Sequence, residues 1–409
     1  MPRSSPVPIA ILALALGSFG IGTTEFVIMG MLPQVGGDLG VDVATAGQYV
    51  SSYAIGVVVG APLLTAATVR LPRRWTLVGL LGLFVVGNLL SALAPGHLAL
   101  LATRFLTGLP HGAFFGVAVL VAASLVGPHR RGRAMATVLL GLSVANVVGV
   151  PAGTYIAQQF GWRWTFGAIA LIGLAAMTAV AAFAPRQDSA AAASTGSIRA
   201  ELGAFARPQV LLTLAVVVFG LGGLFASYSY VAPMLTAVTG LADSAVPWVL
   251  VLVGIGMTAG SLVGGRLADL STLGTLAAGL ALVVAVLLGL AVFLASTPAA
   301  IALLFLLGFA SLGMGPAIQM RVIDHAGGAP TIVSAGVQSA FNMANTIGAW
   351  LGGAVIAAGA GLRAPNVVGA ALALTGLLFL AGSAVLEIRE RRTTAARVAA
   401  GGQQPVPVG

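Results

Sequence analysis

The sequence predicts an all-α integral membrane protein, with twelve transmembrane helices in two pseudo-symmetric six-helix bundles. Three observations predict it. First, 58% of the 409 residues are hydrophobic and only 7% are charged, whereas an ordinary soluble protein carries about 25% charged residues. Second, the apolar residues fall into twelve runs. Each is long enough to cross a hydrocarbon core of ~30 Å, which takes ~20 helical residues at 1.5 Å per residue. Third, the two halves of the chain repeat each other at an offset of about 200 residues. Gly56 and Gly60 match Gly256 and Gly260. Ala145-Asn146, Gly149 and Gly153 match Ala344-Asn345, Gly348 and Gly352. Gly161 and Arg163 match Gly361 and Arg363.

The runs fall at about 8–31, 47–69, 75–94, 99–126, 134–157, 165–184, 209–238, 246–268, 274–295, 299–323, 333–358 and 366–386. Turn residues or charges bound each one. The first is too long for a signal peptide, and no small-residue cleavage site with a soluble remainder follows it, so it is expected to stay as a span. The connections are short except for 185–208, which reads as a cytoplasmic linker between a half at 1–184 and a half at 209–386. Within it, Ile198 to Phe205 is weakly amphipathic. The tail at 387–409 opens with Arg389-Glu390-Arg391-Arg392, ends in Gly, Gln, Pro and Val, and is expected to be disordered.

The chain has no lysine, so all 19 basic residues are arginines. All but Arg104, Arg163 and Arg363, 16 of the 19, fall on one side of the span order. That is the positive-inside pattern, and it places both termini in the cytoplasm of a multi-pass plasma-membrane protein. It also argues that the net charge of +9 serves topology rather than nucleic acid. With no cysteine, disulfides and thiolate chemistry are excluded. His97, His111, His129 and His325 match no metal-ligand spacing. No phosphate-cradling loop, nucleophile elbow or catalytic carboxylate pair is present, so neither an enzyme, an ATP-driven pump nor a cofactor is expected.

Glu25 is the only carboxylate placed inside a span. An ionisable group in the membrane costs several kcal/mol unless it meets a partner or a polar cavity, which makes function its default reading. The alternative is a carboxyl that stays protonated or reaches the headgroups. Span eleven carries Gln338, Asn342 and Asn345, whose spacing puts them on one helical face. Span two adds Gln48, Tyr49 and Tyr53, span seven adds Tyr228 and Tyr230, and Phe114 and Phe115 follow His111. These either pack helices or line a mostly apolar cavity suited to small neutral or amphipathic compounds.

The first span, Gly22-Thr23-Thr24-Glu25-Phe26-Val27-Ile28-Met29-Gly30-Met31-Leu32-Pro33, resembles that of bacterial chloramphenicol-resistance, arabinose-efflux and sugar-efflux permeases. The whole chain outside the linker and tail resembles the twelve-span drug and sugar efflux branch (drug:proton antiporter-1) of the major facilitator superfamily. The resemblance implies the major facilitator fold and alternating access. It further implies proton-coupled export of small drugs or sugar-like solutes, with the proton gradient as energy source, by a protein acting as a monomer. Proton-linked uptake of a metabolite and a non-transporting membrane sensor are the rival readings.

Leu101-Ala-Thr-Arg104-Phe-Leu-Thr-Gly108-Leu-Pro-His111-Gly112 looks like the family motif whose buried arginine serves proton coupling. A guanidinium in the membrane needs a carboxylate, carbonyl or water, so a pair with Glu25, direct or through water, is expected. Such a pair favours the ionised carboxylate, and losing it favours the proton. His111, on the same face as Arg104, joins the network or is satisfied locally. In span five, Gly141, Asn146, Gly149, Pro151 and Gly153 resemble the antiporter motif, although the family form has Gly directly before Pro and a double Gly after it. Asn146 is placed in the cavity, and the Gly149 to Gly153 stretch is read as a pivot between the halves. The loop carrying Arg70, Arg73 and Arg74 occupies the place of the family's cytoplasmic gate but lacks its aspartate. The second half keeps a better copy in Arg266 and Asp269. These charges either pair at the gate or decorate helix ends.

Overall fold

The computed structural model describes residues 9–68, 70–185, 207–325 and 330–401. Among the described residues, twelve helices are long and apolar enough to span a membrane. In the first half they are α1 (Ile9–Gly30), α2 (Val43–Thr68), α3 (Arg73–Ala92), α4 (His97–Ser124), α5 (Arg131–Phe160) and α6 (Trp162–Phe183). In the second they are α7 (Pro208–Ala237), α8 (Asp243–Leu270), α9 (Thr272–Phe293), α10 (Thr297–His325), α11 (Gly336–Ala360) and α12 (Ala364–Arg389). Their bounds lie within a few residues of the apolar runs, because backbone polar groups in hydrocarbon are satisfied most simply inside a helix. No strand occurs among the described residues. Most of the linker expected at 185–208, including Ile198 to Phe205, lies outside them.

The last helix continues from Ala364 to Gly401. Helical backbone therefore replaces the irregular chain expected from Glu387 to that point. The segment Thr-Thr-Ala-Ala-Arg-Val-Ala-Ala contains no Gly or Pro and is rich in the strongest helix former. Residues 402–409 lie outside the description.

The two halves pack alike. In the first, α2 lies on α4, α3 on α4 and α6, and α1 on α5 and α6. In the second, α8 lies on α10, α9 on α10 and α12, and α7 on α11 and α12. The repeated glycines enforce this correspondence. A methyl on Gly56 would come 3.2 Å from Gly108 Cα, and one on Gly256 would come 2.5 Å from the Phe305 carbonyl oxygen. Each glycine thus lets the second helix of its half touch the backbone of the fourth. Gly161 and Gly361 precede α6 and α12 with φ of 95° and 79°, a region open to glycine at little cost. Arg163 then donates to the Ala94 carbonyl (3.1 Å), and Arg363 to that of Val292 (3.0 Å). Each guanidinium caps the carbonyl end of the third helix in its half, where cations are favoured.

We call the end bearing Arg163 and Arg363 the outer end, following the arginine distribution. The closest approaches between the halves lie there and at mid-membrane. α2 packs on α11 and α5 on α8. A methyl on Gly30 would meet Leu250 Cδ1 at 2.8 Å, and one on Gly254 would meet the Asn146 carbonyl carbon at 2.7 Å. Phe26 stacks on Phe225, with centroids 6.3 Å apart. Gln158 donates to the Asp243 carbonyl (2.7 Å) and Ser51 to that of Thr346 (3.2 Å).

Candidate functional site

Glu25 lies in the outer part of α1, where every residue from Gly20 to Gly30 is buried. The carboxyl therefore faces protein, not acyl chains, and is 2% exposed. Its neighbours come from α2 and α4. His111 Nδ1 lies 4.0 Å from Glu25 Oε2. That is too long for a hydrogen bond but close enough for a protonated imidazole to attract the carboxylate strongly. The Tyr53 hydroxyl shares a 3.0 Å hydrogen bond with the same nitrogen. The other carboxyl oxygen, Oε1, is buried without a hydrogen-bond partner. A buried acceptor left open is costly, and such groups concentrate where a proton or ligand completes them.

His111 also reaches the opposite half. Gln338 Nε2, from α11, lies 3.2 Å from His111 Nε2. An amide nitrogen can only donate, so a neutral imidazole bonded this way carries its proton on Nδ1, toward Tyr53 and Glu25. The Phe115 ring covers the imidazole at 5.1 Å. One histidine thus joins the buried carboxyl of Glu25 to the second bundle. The spacing of α4 residues placed His111 on the right face, but its choice of partners depends on α1, α2 and α11 together.

Arg104 is fully buried as expected, yet it is not the direct partner of Glu25. Its Nη1 donates to the Thr24 carbonyl (3.0 Å) and hydroxyl (3.3 Å), and its Nε to the Tyr49 carbonyl (3.4 Å). Its guanidinium lies 4.5 Å from the Tyr53 ring centroid, a cation–π contact. Thr24 in turn donates to Asn88 on α3 (2.7 Å). The reason is register: Thr24, one residue before Glu25, presents a carbonyl and a hydroxyl to α4 first. Arg104 still acts electrostatically on Glu25, and its Nη2 has no hydrogen-bond partner. Thr24, Asn88 and the Tyr49–His97 bond (2.8 Å) carried no sequence signal beyond being polar residues in apolar runs.

The expected cavity residues divide. Asn342 and Asn345 are fully buried on α11. Asn342 Oδ1 and both amide atoms of Asn345 are buried without a hydrogen-bond partner. Asn146 donates to the Leu142 carbonyl (3.1 Å) and leaves its Oδ1 open. Tyr228 is buried at the outer end of the long segment of α7. Phe114 is fully buried. It fills the space over Gly17, whose added methyl would lie 2.6 Å from Phe114 Cζ, so it packs α4 on α1. Residues missed by the sequence reading include Phe225, which stacks on Phe26 and meets Phe341 edge-on at 5.1 Å.

The glycines of the α5 motif pack on α1 and α6, while the Val150–Phe160 stretch also packs on α8 of the other half. Gly149 packs on Thr23 and Phe19 of α1, and Gly153 on Val27 of α1 and Thr165 of α6. Both lie within the first half. One turn away, Gly254 of α8 meets the backbone of Asn146 and Val147. Backbone at Ala145–Gly149 widens into a π-type turn. Pro151 lacks an N–H and crowds the carbonyl four residues back, and a wide turn accommodates it.

At the inner end, Arg266 and Asp269 are exposed on α8, and no ion pair joins them among the described residues. Arg74 donates to the Ala181 carbonyl of α6, which ties α3 within its own half. Arg70 is exposed and Arg73 half-buried. A buried cluster that the sequence reading missed sits nearby. Arg321 Nη2 donates to Ser383 (2.7 Å), Glu387 (3.1 Å) and Gln209 (3.2 Å).

Comparison with known proteins agrees with this architecture. A family described as Major Facilitator Superfamily matches residues 14–336. The chain is 41% identical over 374 residues to the inner membrane transport protein YdhP of Escherichia coli strain K12, covering 91% of this chain and 95% of that one. It is 36% identical over 344 residues to a chloramphenicol resistance protein of Streptomyces lividans, covering 84% and 87%. With twelve spans, two matched bundles and polar groups gathered between them, the chain belongs to the Major Facilitator Superfamily and is a multi-pass membrane transporter.

Proposed function

We propose that this chain is a proton-coupled antiporter of the bacterial inner membrane that exports small neutral or amphipathic compounds, chloramphenicol-like drugs first, by alternating access. Both termini face the cytoplasm and the protein acts as a monomer. The observation that carries the proposal is the path from Glu25 through His111 to Gln338. It puts the one buried carboxyl of the spans in touch with the opposite bundle. The name of the Streptomyces lividans relative supports export of a drug.

In this reading Glu25 takes the proton on its open oxygen. Charged Glu25 pulls the Nδ1 proton of His111 toward itself, and protonated Glu25 releases it. The imidazole then shifts, and Gln338 transmits the shift to α11. Arg104 holds α1, α2 and α4 together through Thr24 and Tyr49. The substrate sits against the open amides of Asn342 and Asn345 and the rings of Phe26, Phe225 and Phe341. One charge moving inward down ~100 mV supplies about 2.3 kcal/mol, to which a pH gradient adds.

The test is Glu25→Gln in energised inverted vesicles. The variant is expected to fold and insert at parent levels and to lose gradient-driven chloramphenicol accumulation. Unchanged accumulation would refute the assigned role.

A further inference from the structure

The outer end of the passage is closed around one side chain. Tyr230 occupies the break in α7 between the helices Pro208–Tyr228 and Val231–Ala237. Its ring is fully buried, and its hydroxyl donates to the Ala349 carbonyl of α11 (2.7 Å). Within its own half it lies over two glycines. A methyl on Gly352 would come 2.8 Å from Cε2, and one on Gly353 would come 2.5 Å from the hydroxyl. Across the divide the ring meets Gly47, at the start of α2. A methyl there would lie 2.6 Å from Tyr230 Cζ and 2.8 Å from Cε1 and would overlap the hydroxyl.

Gly47 has φ −57° and ψ −23°, which any residue adopts. Backbone conformation therefore does not call for glycine at this position, but the ring does. Beside Tyr230 is a cavity of about 110 Å³, lined by Ala44, Thr45, Gln48 and Trp350 among others, into which a ring leaving the notch can move. The arrangement is one-sided. Met31 occupies the matching break after α1 with nearly the same backbone, φ −124° and ψ 15° against −112° and 20°. It carries no ring.

We propose that Tyr230 is the outer gate residue of the transport cycle. The second half supplies the plug and Gly47 of the first half supplies the socket, so a solute leaves outward only when the ring withdraws. This rests on the alternating access proposed above and not on any particular substrate or on the proton.

The chain contains no cysteine, so a single reporter can be placed in it directly. Thr346→Cys lies one turn inward of Ala349 on the face of α11 that meets α2. The readout is its initial rate of labelling by a membrane-impermeant maleimide added outside intact cells. We expect slow labelling in the reporter alone and a rate at least tenfold higher with Tyr230→Ala. Gly47→Val should do the same from the other side by expelling the ring. Tyr230→Phe keeps the ring in the notch and should stay within about threefold of the reporter, because it loses only one neutral hydrogen bond. Labelling after denaturation corrects for expression. If Tyr230→Ala fails to fold, Gly47→Val decides alone. The proposal is overturned if the folded variants label no faster than the reporter, or if Tyr230→Phe labels as fast as Tyr230→Ala. The readout needs neither a solute nor a gradient, so it stands apart from the Glu25→Gln result.

Discussion

Asp38 sits at the outer rim, just beyond α1, and binds two neighbours at once. Arg163 and the Trp162 indole (3.1 Å) both donate to its Oδ2. Hydrogen bonds from Arg163, then from Trp162, hold the Asp38 carboxyl below the ordinary carboxylate range. The bonded form is the charged form, so any stability it adds is present above the ordinary carboxylate value and is lost as pH falls through the lowered one. Both partners are partly exposed, at 41% and 48%, so the contribution is under about 1 kcal/mol. Asp38→Asn should lower the unfolding temperature in detergent slightly at neutral pH, and the difference should shrink at acid pH as the carboxyl protonates. A difference that is the same at both pH values would show that the charge is irrelevant. At this scale, charge in an apolar run was legible: Glu25 and Arg104 were identified from the sequence. Their partners were not. Arg104 binds Thr24 rather than Glu25 because the carbonyl and hydroxyl nearest its fork belong to the preceding residue, and only the crossing of α1 and α4 decides that.

Helices were the easiest level to read. The length of an apolar run is dictated by the membrane, and glycines recurring across the halves mark where two backbones touch, as Gly56 and Gly256 do. Less legible was what a helix end does. Arg321 of α10 gathers Gln209 of α7 and Ser383 and Glu387 of α12 into one buried clasp. Ser383 also donates to Gln209 Oε1 (2.6 Å). The corresponding first-half positions are apolar or outside the described residues, so no repeat announced it. Removing one partner of a buried pair costs about 3–5 kcal/mol. Glu387 is 17% exposed, so we expect Arg321→Ala to cost about 2 kcal/mol, below that range because solvent screens part of the pair. Thermal unfolding of the purified protein should fall by several degrees, and Glu387→Gln added to it should recover part of the loss. No change on Arg321→Ala would mean the clasp is idle.

Across the whole molecule, the contacts described between the bundles cluster from mid-membrane outward: Gln338 with His111, Phe26 with Phe225, Ser51 with Thr346, and Tyr230 with Gly47. If the halves must part here in each cycle, joining them should stop transport. Ser51→Cys with Thr346→Cys, in a chain with no other thiol, should crosslink under a short thiol linker, abolish export, and leave each single variant active. Export that continues in fully crosslinked protein would mean that the outer ends need not separate.

The twelve spans, the two matched halves and the buried carboxyl of Glu25 were legible in the sequence, because hydrocarbon forces helices and penalises charge wherever it occurs. Which groups meet was set by how the helices pack. It was α2, α4 and α11 converging on one histidine that turned isolated polar residues into a network. Likewise, two bundles closing on each other put Tyr230 against a glycine far away in the chain. Partners so distant in sequence leave no periodicity, because their contact depends on how the helices pack and not on the order of residues along any one of them.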